Sequence, residues 1–197
     1  MSTSTREYLD RNAKGYEGDE FIYIELKKLV DKFKINQIIE TGTFLGGTTK
    51  RLAELADVIT IEIVNDNYLK AKQNFDGVKN ILALWGNSVD VLKNNLKLYS
   101  HESLLFFLDA HWEQYCPLID ELKTIADHGI KPVIAIHDWK VPGRPDLGFD
   151  SYKGQDFTFE WIKDSLDNIY GVDGYSYHYN DQAEGAKRGV IYIYPNA

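Results

Sequence analysis

Cysteine is nearly missing from this 197-residue chain, which has Cys116 alone. One thiol excludes an intrachain disulfide and a zinc site built on paired cysteines, and it fits a reducing, cytoplasmic setting. Long apolar runs are also missing, because none approaches the roughly 20 residues that a membrane-spanning helix needs. The start Met1-Ser2-Thr3-Ser4-Thr5 lacks the apolar centre of a signal peptide. No membrane partner is therefore expected. Basic residues are too few for a polyanion-binding surface: Lys and Arg number 22 against 30 Asp and Glu, a formal net charge of -8. Neutralising phosphates needs clustered cations, so general nucleic-acid binding is excluded as a function class. Internal repeats and low-complexity tracts are absent. What remains is a chain with 44% hydrophobic and 26% charged residues, ordinary for a soluble globular protein and long enough for one domain with a proper core.

Hydrophobic periodicity divides that chain into four stretches. Residues 1–34 are polar at first and then carry Phe21, Ile22, Leu26, Leu29, Val30 and Phe33 at helical spacing. The resulting amphipathic helix is expected to cover a sheet face. Residues 35–139 alternate short apolar runs, each ending in a polar residue, with helical segments: Ile38 to Glu40, Val58 to Glu62, Ile81 to Trp85, Ser103 to Asp109 and Pro132 to Ile136. Strands alternating with helices imply βαβ units and a parallel sheet covered on both faces. Residues 140–156 hold Pro142, Gly143, Pro145, Gly148 and Gly154 and read as a mobile acceptor-side loop. Residues 157–197 give a last helix and two terminal strands, Tyr175 to Tyr179 and Gly189 to Tyr194.

Ile38-Ile39-Glu40-Thr41-Gly42-Thr43-Phe44-Leu45-Gly46-Gly47-Thr48-Thr49 is the most informative stretch. A strand, a glycine-rich turn and a helix in that order form a small-molecule cradle, in which glycines let a ligand approach backbone N–H groups. A dinucleotide cradle has the spacing G-x-G-x-x-G. Here an acid precedes Gly42 and the next glycine is Gly46, which disfavours a pyrophosphate and suits a cationic ligand. This motif resembles that of the class I S-adenosylmethionine-dependent methyltransferases. The resemblance implies a doubly wound, mostly parallel seven-stranded sheet with helices on both faces and a C-terminal antiparallel strand pair. It also implies S-adenosylmethionine as cofactor, held by Glu40, Thr41, Gly42, Thr43, Phe44, Gly46 and Gly47. Glu62 would bind the ribose diol, since a carboxylate offers two acceptor oxygens. Asn87 and Ser88 would meet the adenine, Ile63 or Trp85 would flank it, and Asp109 would close the site.

In an open α/β sheet, ligands bind beyond the carboxyl ends of the strands. Glu40, Glu62, Asn87, Asp109 and His137-Asp138 all fall there. Leu108-Asp109-Ala110-His111-Trp112-Glu113 and Ile136-His137-Asp138-Trp139-Lys140-Val141-Pro142-Gly143-Arg144-Pro145-Asp146 are similar to the metal-dependent O-methyltransferases of the catechol type. In that group two aspartates and an asparagine hold Mg²⁺, and Asp109 and Asp138 match the aspartates. The chain departs from the pattern in three places: Trp139 replaces the asparagine, Glu113 replaces a lysine, and Ala110 is an extra residue. Mg²⁺ on two carboxylates and waters, or no metal at all, both remain open. Without metal, His111 or His137 is the expected base, because a neutral imidazole is available near pH 7. The catalytic candidates are thus Asp109, His111, His137 and Asp138. The expected activity is methyl transfer from S-adenosylmethionine to a small-molecule hydroxyl. An NAD-binding oxidoreductase and a catalytically silent adenosyl-binding domain are the alternatives.

Overall fold

The computed structural model describes residues 12–99, 101–111 and 115–196. Seven strands form one sheet: β1 (Gln37–Thr41), β2 (Asp57–Glu62), β3 (Ile81–Trp85), β4 (Leu104–Leu108), β5 (Val133–Ile136), β8 (Tyr175–Tyr179) and β9 (Ile191–Pro195). Their order is β3-β2-β1-β4-β5-β9-β8, parallel from β3 through β5 and antiparallel in the last two pairings. The chain leaves β1 in one direction across the sheet and returns to it for β4. This reversal makes the carboxyl ends of β1 and β4 the topological switch point, where a crevice opens. The expected terminal strand pair is present.

Strands in the middle of the sheet are apolar on both faces, so each face needs its own cover. Leu104, Phe106 and Leu108 of β4 point to one layer, with Ile39, Ile134 and Ile136. That layer is covered by α4 (Ser88–Asn95), α5 (Leu118–Asp127) and α6 (Phe159–Tyr170), through side chains such as Leu92, Leu122 and Leu166. Leu105 and Phe107 point the other way, with Ile38, Val133 and Ala135, against α1 (Glu20–Phe33). Helix α1 forms because Ile22, Leu26, Leu29 and Val30 fall on one stripe and are buried there. The Asp19 carboxylate caps its start, accepting from the Phe21 N–H at 2.9 Å. It stops where Lys34 turns left-handed, with φ 54°. Burying one such leucine stabilises the fold by about 2 kcal/mol, so a charge at Leu26 would detach the helix.

Helix α2 (Gly47–Leu52) has only six residues, and α3 (Asn65–Asn74) follows β2. The stretch 140–156 contains a small antiparallel hairpin, β6 (Ser151–Tyr152) with β7 (Gln155–Asp156). Its Lys153 and Gly154 both have positive φ, 52° and 82°, the conformation that a two-residue hairpin turn requires. The whole stretch is tied down, since Val141 and Leu147 lie in the core and Gly148 donates to the Lys187 carbonyl at 2.8 Å. Among the described residues no helix is long and apolar enough to cross a membrane.

Candidate functional site

A cavity of about 340 Å³ opens at the switch point. Gly42, Thr43, Phe44 and Gly47 of the first turn line it, with Glu62 and Ile63 after β2 and Gly86, Asn87 and Ser88 after β3. Asp109, His111 and His137 border its other end. Of the residues expected to hold a cofactor, these reach the cavity. Trp85 does not line it, being 60% exposed and donating its indole N–H to the Ile63 carbonyl. Ile63 is thus the better placed of the two ring-flanking candidates.

Glu62 holds both of its oxygens in place with backbone donors: Oε2 accepts from Phe44 N at 2.7 Å and Oε1 from Val64 N at 2.8 Å. A carboxylate has about four lone-pair sites, so a diol can still be bound. Asn87 caps α4, its side-chain oxygen accepting from Val89 N at 3.0 Å, while its Nδ2 donates to Tyr115 Oη at 3.3 Å. It therefore serves as cap and cavity wall together.

Glu40, Thr41 and Gly46, expected beside the cofactor, are not among the residues that line the cavity. Glu40 is 1% exposed, and its Oε2 accepts from Thr49 Oγ1 at 2.5 Å and Thr60 Oγ1 at 2.6 Å. Burial pushes its carboxyl up to about 8, so it is largely neutral at pH 7 and fastens β1 to β2 and α2. Glu121 of α5 is a second such group beneath the floor; burial raises it to about 7, with the Ser88 and Thr41 hydroxyls beside it. Gly46 has φ 81°, and a Cβ there would strike the Phe75 ring. At Gly42, φ 89°, a Cβ would lie 2.5 Å from the Asp109 carbonyl oxygen. The glycines are thus needed for close packing of the protein on itself as much as for ligand approach.

The N-terminal stretch also reaches the cavity. Asn12, Tyr16 and Glu17 line it. Tyr16 N donates to Thr48 Oγ1 at 2.9 Å, and the Tyr16 ring packs edge-on against Phe107 at 5.7 Å. Glu17 brings a carboxylate near His137 and Asp138. Burial raises it above the usual carboxylate range.

At the other end the four catalytic candidates converge. His137 Nδ1 lies 3.3 Å from Asp109 Oδ1 and 3.2 Å from Asp138 Oδ1, and His111 Nε2 lies 3.4 Å from Asp138 Oδ2 and 3.8 Å from Asp150 Oδ2. Arg188 crosses the group, its Nε donating to Asp138 Oδ1 and its Nη2 to Asp150 Oδ1. Burial would raise Asp138, but His137, His111 and Arg188 outweigh it and hold that carboxyl well below its usual range. His111 is raised to about 9, chiefly by Asp138. Burial would lower His137, yet Asp138 and Asp109 raise it well above the usual imidazole range. A neutral imidazole near pH 7 was the sequence expectation; the facing carboxylates hold both rings protonated instead.

Arg188, Asp150 and Glu17 were missed by sequence reasoning. Arg188 lies 50 residues from Asp138, beyond the reach of any spacing rule, and its only sequence cue is its place before the last strand. Trp139, which stands at the asparagine position of the resembling group, is fully buried and packs on Phe157 at a ring distance of 6.3 Å. Trp112, Glu113 and Gln114 lie outside the described residues.

No family model matches the chain, and no curated protein matches its sequence. Solved structures do match in shape. An O-methyltransferase from Bacillus cereus in complex with SAH is 20% identical with a TM-score of 0.64, over 89% of this chain and 81% of that one. The O-methyltransferase TomG from Streptomyces achromogenes, involved in tomaymycin synthesis and solved with SAM, is 14% identical with a TM-score of 0.62, over 87% and 78%. A Klebsiella pneumoniae protein described as a candidate O-methyltransferase reaches 0.67 at 16% identity, over 98% and 89%. At these identities the likeness is one of fold. The strand order, the antiparallel terminal pair and the matching structures together define the class I methyltransferase fold.

Proposed function

We propose that this protein transfers a methyl group from S-adenosylmethionine to the oxygen of a small-molecule hydroxyl. The observation that carries the reading is a cavity with a carboxylate, Glu62, at one end and a cluster of imidazoles and carboxylates at the other. Its volume suits a small molecule. The donor's adenosine would lie along Glu62, Ile63, Asn87 and Ser88, and its methionine part along Gly42, Thr43 and Phe44. The donor methyl would then face Asp109 and His137. In-line transfer needs nucleophile, methyl carbon and sulfur held in alignment, and that positioning supplies much of the rate.

The acceptor hydroxyl must lose its proton as the bond forms. His137 is the candidate base: it is 3% exposed, lines the cavity, and neither ring nitrogen makes a hydrogen bond within the protein. Because Asp138 and Asp109 keep it protonated, its basic form is reached on the alkaline side, and transfer is expected to quicken as pH rises above 7.

Mg²⁺, the ion the resemblance implies, would fall between Asp109 and Asp138. The residues fit a divalent cation, since their donor atoms converge with that of His111 within 4.8 Å of one another. When bound, such an ion supplies positive charge that lowers the pKa of a coordinated hydroxyl. A cytoplasmic setting rests on the lone cysteine.

Calorimetry with S-adenosylmethionine, S-adenosylhomocysteine and NAD tests the donor. Micromolar-range heats are expected with the first two, on the order of usual cofactor affinities. Heat with NAD alone would overturn the reading. Donor binding without turnover across a broad panel of hydroxyl compounds would leave a silent adenosyl-binding domain.

A further inference from the structure

We infer that Asp109, His111 and Asp138 form a site for a transition-metal dication, with His111 as the third protein ligand, in place of an oxygen-only magnesium site. The role of such an ion rests on the methyl-transfer reading; its binding does not.

The geometry of the cluster is that of ligands around a common centre. One donor atom each from Asp109, His111 and Asp138 lies within 4.8 Å of the others. His111 Nε2 and Asp138 Oδ2 are 3.4 Å apart, outside the 2.7–3.2 Å of a good N–H to oxygen bond. Two ligands at roughly 2.1 Å from one ion stand about 3.0–3.4 Å apart across an octahedral or tetrahedral edge. A second observation points the same way. His137 is buried to 3% exposure between Asp109 and Asp138, at 3.3 and 3.2 Å, yet neither of its ring nitrogens makes a hydrogen bond. A buried imidazole without a hydrogen bond marks a polar centre that the protein does not satisfy by itself.

Arg188 decides which oxygens remain. Its Nε holds Asp138 Oδ1 and its Nη2 holds Asp150 Oδ1. Asp138 therefore offers Oδ2 alone, on the His111 side, and is fixed there as an outer partner fixes a metal ligand. Trp139 lies where the resembling enzymes have an oxygen ligand, and it is spent on the core at 0% exposure. His111, exposed at 38% of its side chain, replaces that ligand from the carboxyl end of the neighbouring strand β4. Imidazole favours ions such as Mn²⁺, Fe²⁺, Co²⁺ and Zn²⁺ over Mg²⁺, which prefers oxygen and keeps its waters. Three protein ligands leave open positions for a hydroxyl compound.

Electron paramagnetic resonance of the purified protein with Mn²⁺, without donor or acceptor, tests this. One bound Mn²⁺ per chain is expected, undisplaced by a hundredfold excess of Mg²⁺, with a nitrogen coupling in the pulsed spectrum from a directly bound imidazole. His111→Asn should remove that coupling, and His111→Ala and Asp109→Asn should each weaken Mn²⁺ at least tenfold, with S-adenosylhomocysteine calorimetry reporting that the donor half is intact. Should His111→Asn fail to fold, a coupling kept in His137→Asn assigns the nitrogen to His111, and its loss there overturns the site. Wild-type protein that binds S-adenosylhomocysteine but no Mn²⁺, a wild-type spectrum without nitrogen coupling, ready displacement by Mg²⁺, or a coupling that survives His111→Asn would each overturn the site. Mn²⁺ binding with no donor binding would sink the methyl-transfer reading and leave the ion site standing.

Discussion

The two ends of the cavity are built by different physics. The donor end is made of backbone turns at strand tips, fastened from below by carboxyls that burial keeps protonated. Glu40 is pushed up to about 8 and Glu121 to about 7. The acceptor end is a knot of ionised side chains from distant parts of the chain, with Arg188 tying Asp138 to Asp150. A neutral scaffold tolerates a cationic cofactor without changing its own charge state. An ionised knot is poised to exchange protons or to take a cation, and it fails when one member is removed.

The largest effect should come from cutting that knot. Arg188→Met leaves Asp138, with a side chain 8% exposed, next to Asp150 with only the His111 and His137 imidazoles to offset the two charges. Breaking a buried pair by removing one partner costs about 3–5 kcal/mol, and the lower end applies because Asp150 is a quarter exposed. Urea unfolding should show it, while the surviving folded protein keeps its affinity for S-adenosylhomocysteine. A loss under 1 kcal/mol would mean that water or an ion already does the work assigned to Arg188.

Next in size is the pH response of the donor end. The carboxyl of Glu40 moves from its ordinary 4.5 up to about 8 on folding. A raised acid binds more protons folded than unfolded, so its contribution is complete below about 4.5 and is lost as pH rises through 8. Stability should fall between pH 5.5 and 8.5, by an amount on the order of 2–4 kcal/mol at about 1.4 kcal/mol per unit. Glu40→Gln can still accept from Thr49 and Thr60 and should flatten the profile without weakening the donor. An unchanged slope in the variant would show that the carboxyl ionises freely in the folded state.

Glu62→Ala should sharpen the contrast from the other side. It removes the acceptor of the Phe44 and Val64 N–H groups and the proposed diol contact, and donor affinity should drop by about 1.5–3 kcal/mol. The Mn²⁺ site at the far end should be untouched, and equal losses at both ends would mean that the cavity folds as one unit.

The same difference explains what the sequence could show. The donor end is local: Gly42 to Gly47 is one turn, and Glu62 and Asn87 stand at or just past the ends of strands whose apolar runs are plain, so the fold and the residues that line this end of the cavity could be read from the chain. The burial of Glu40 and its Thr49 and Thr60 partners were not legible, because an acid at a strand end looks the same in the sequence whether it faces a ligand or the interior. The acceptor end depends on which side chains meet across the sheet. His111 and His137 were found because strand ends bring them to one edge, but Arg188 and Glu17 arrive from segments whose paths only the folded chain reveals. Trp139 is core, directly after a left-handed backbone at Asp138, φ 60°, which the sequence does not announce.

The smallest expected effect tests whether the hairpin of the acceptor end is a lid or a brace. Lys153 sits at φ 52° before Gly154 at φ 82°, a turn in which asparagine is favoured at the first position because its short polar side chain tolerates the left-handed region. Lys153 is exposed, so Lys153→Asn changes little except the turn and should stabilise the protein by about 0.5 kcal/mol. The hairpin begins directly after Asp150, whose backbone N–H donates to the Asp138 carbonyl at 2.9 Å and whose carboxylate meets Arg188. If the segment is a brace, a firmer turn holds Asp150 more tightly, and turnover stays level or rises slightly with donor affinity unchanged. A lid that must open would instead be slowed by the same change. A turnover loss of twofold or more in a stabilised variant would restore the mobile loop that the glycines and prolines of residues 140–156 suggest.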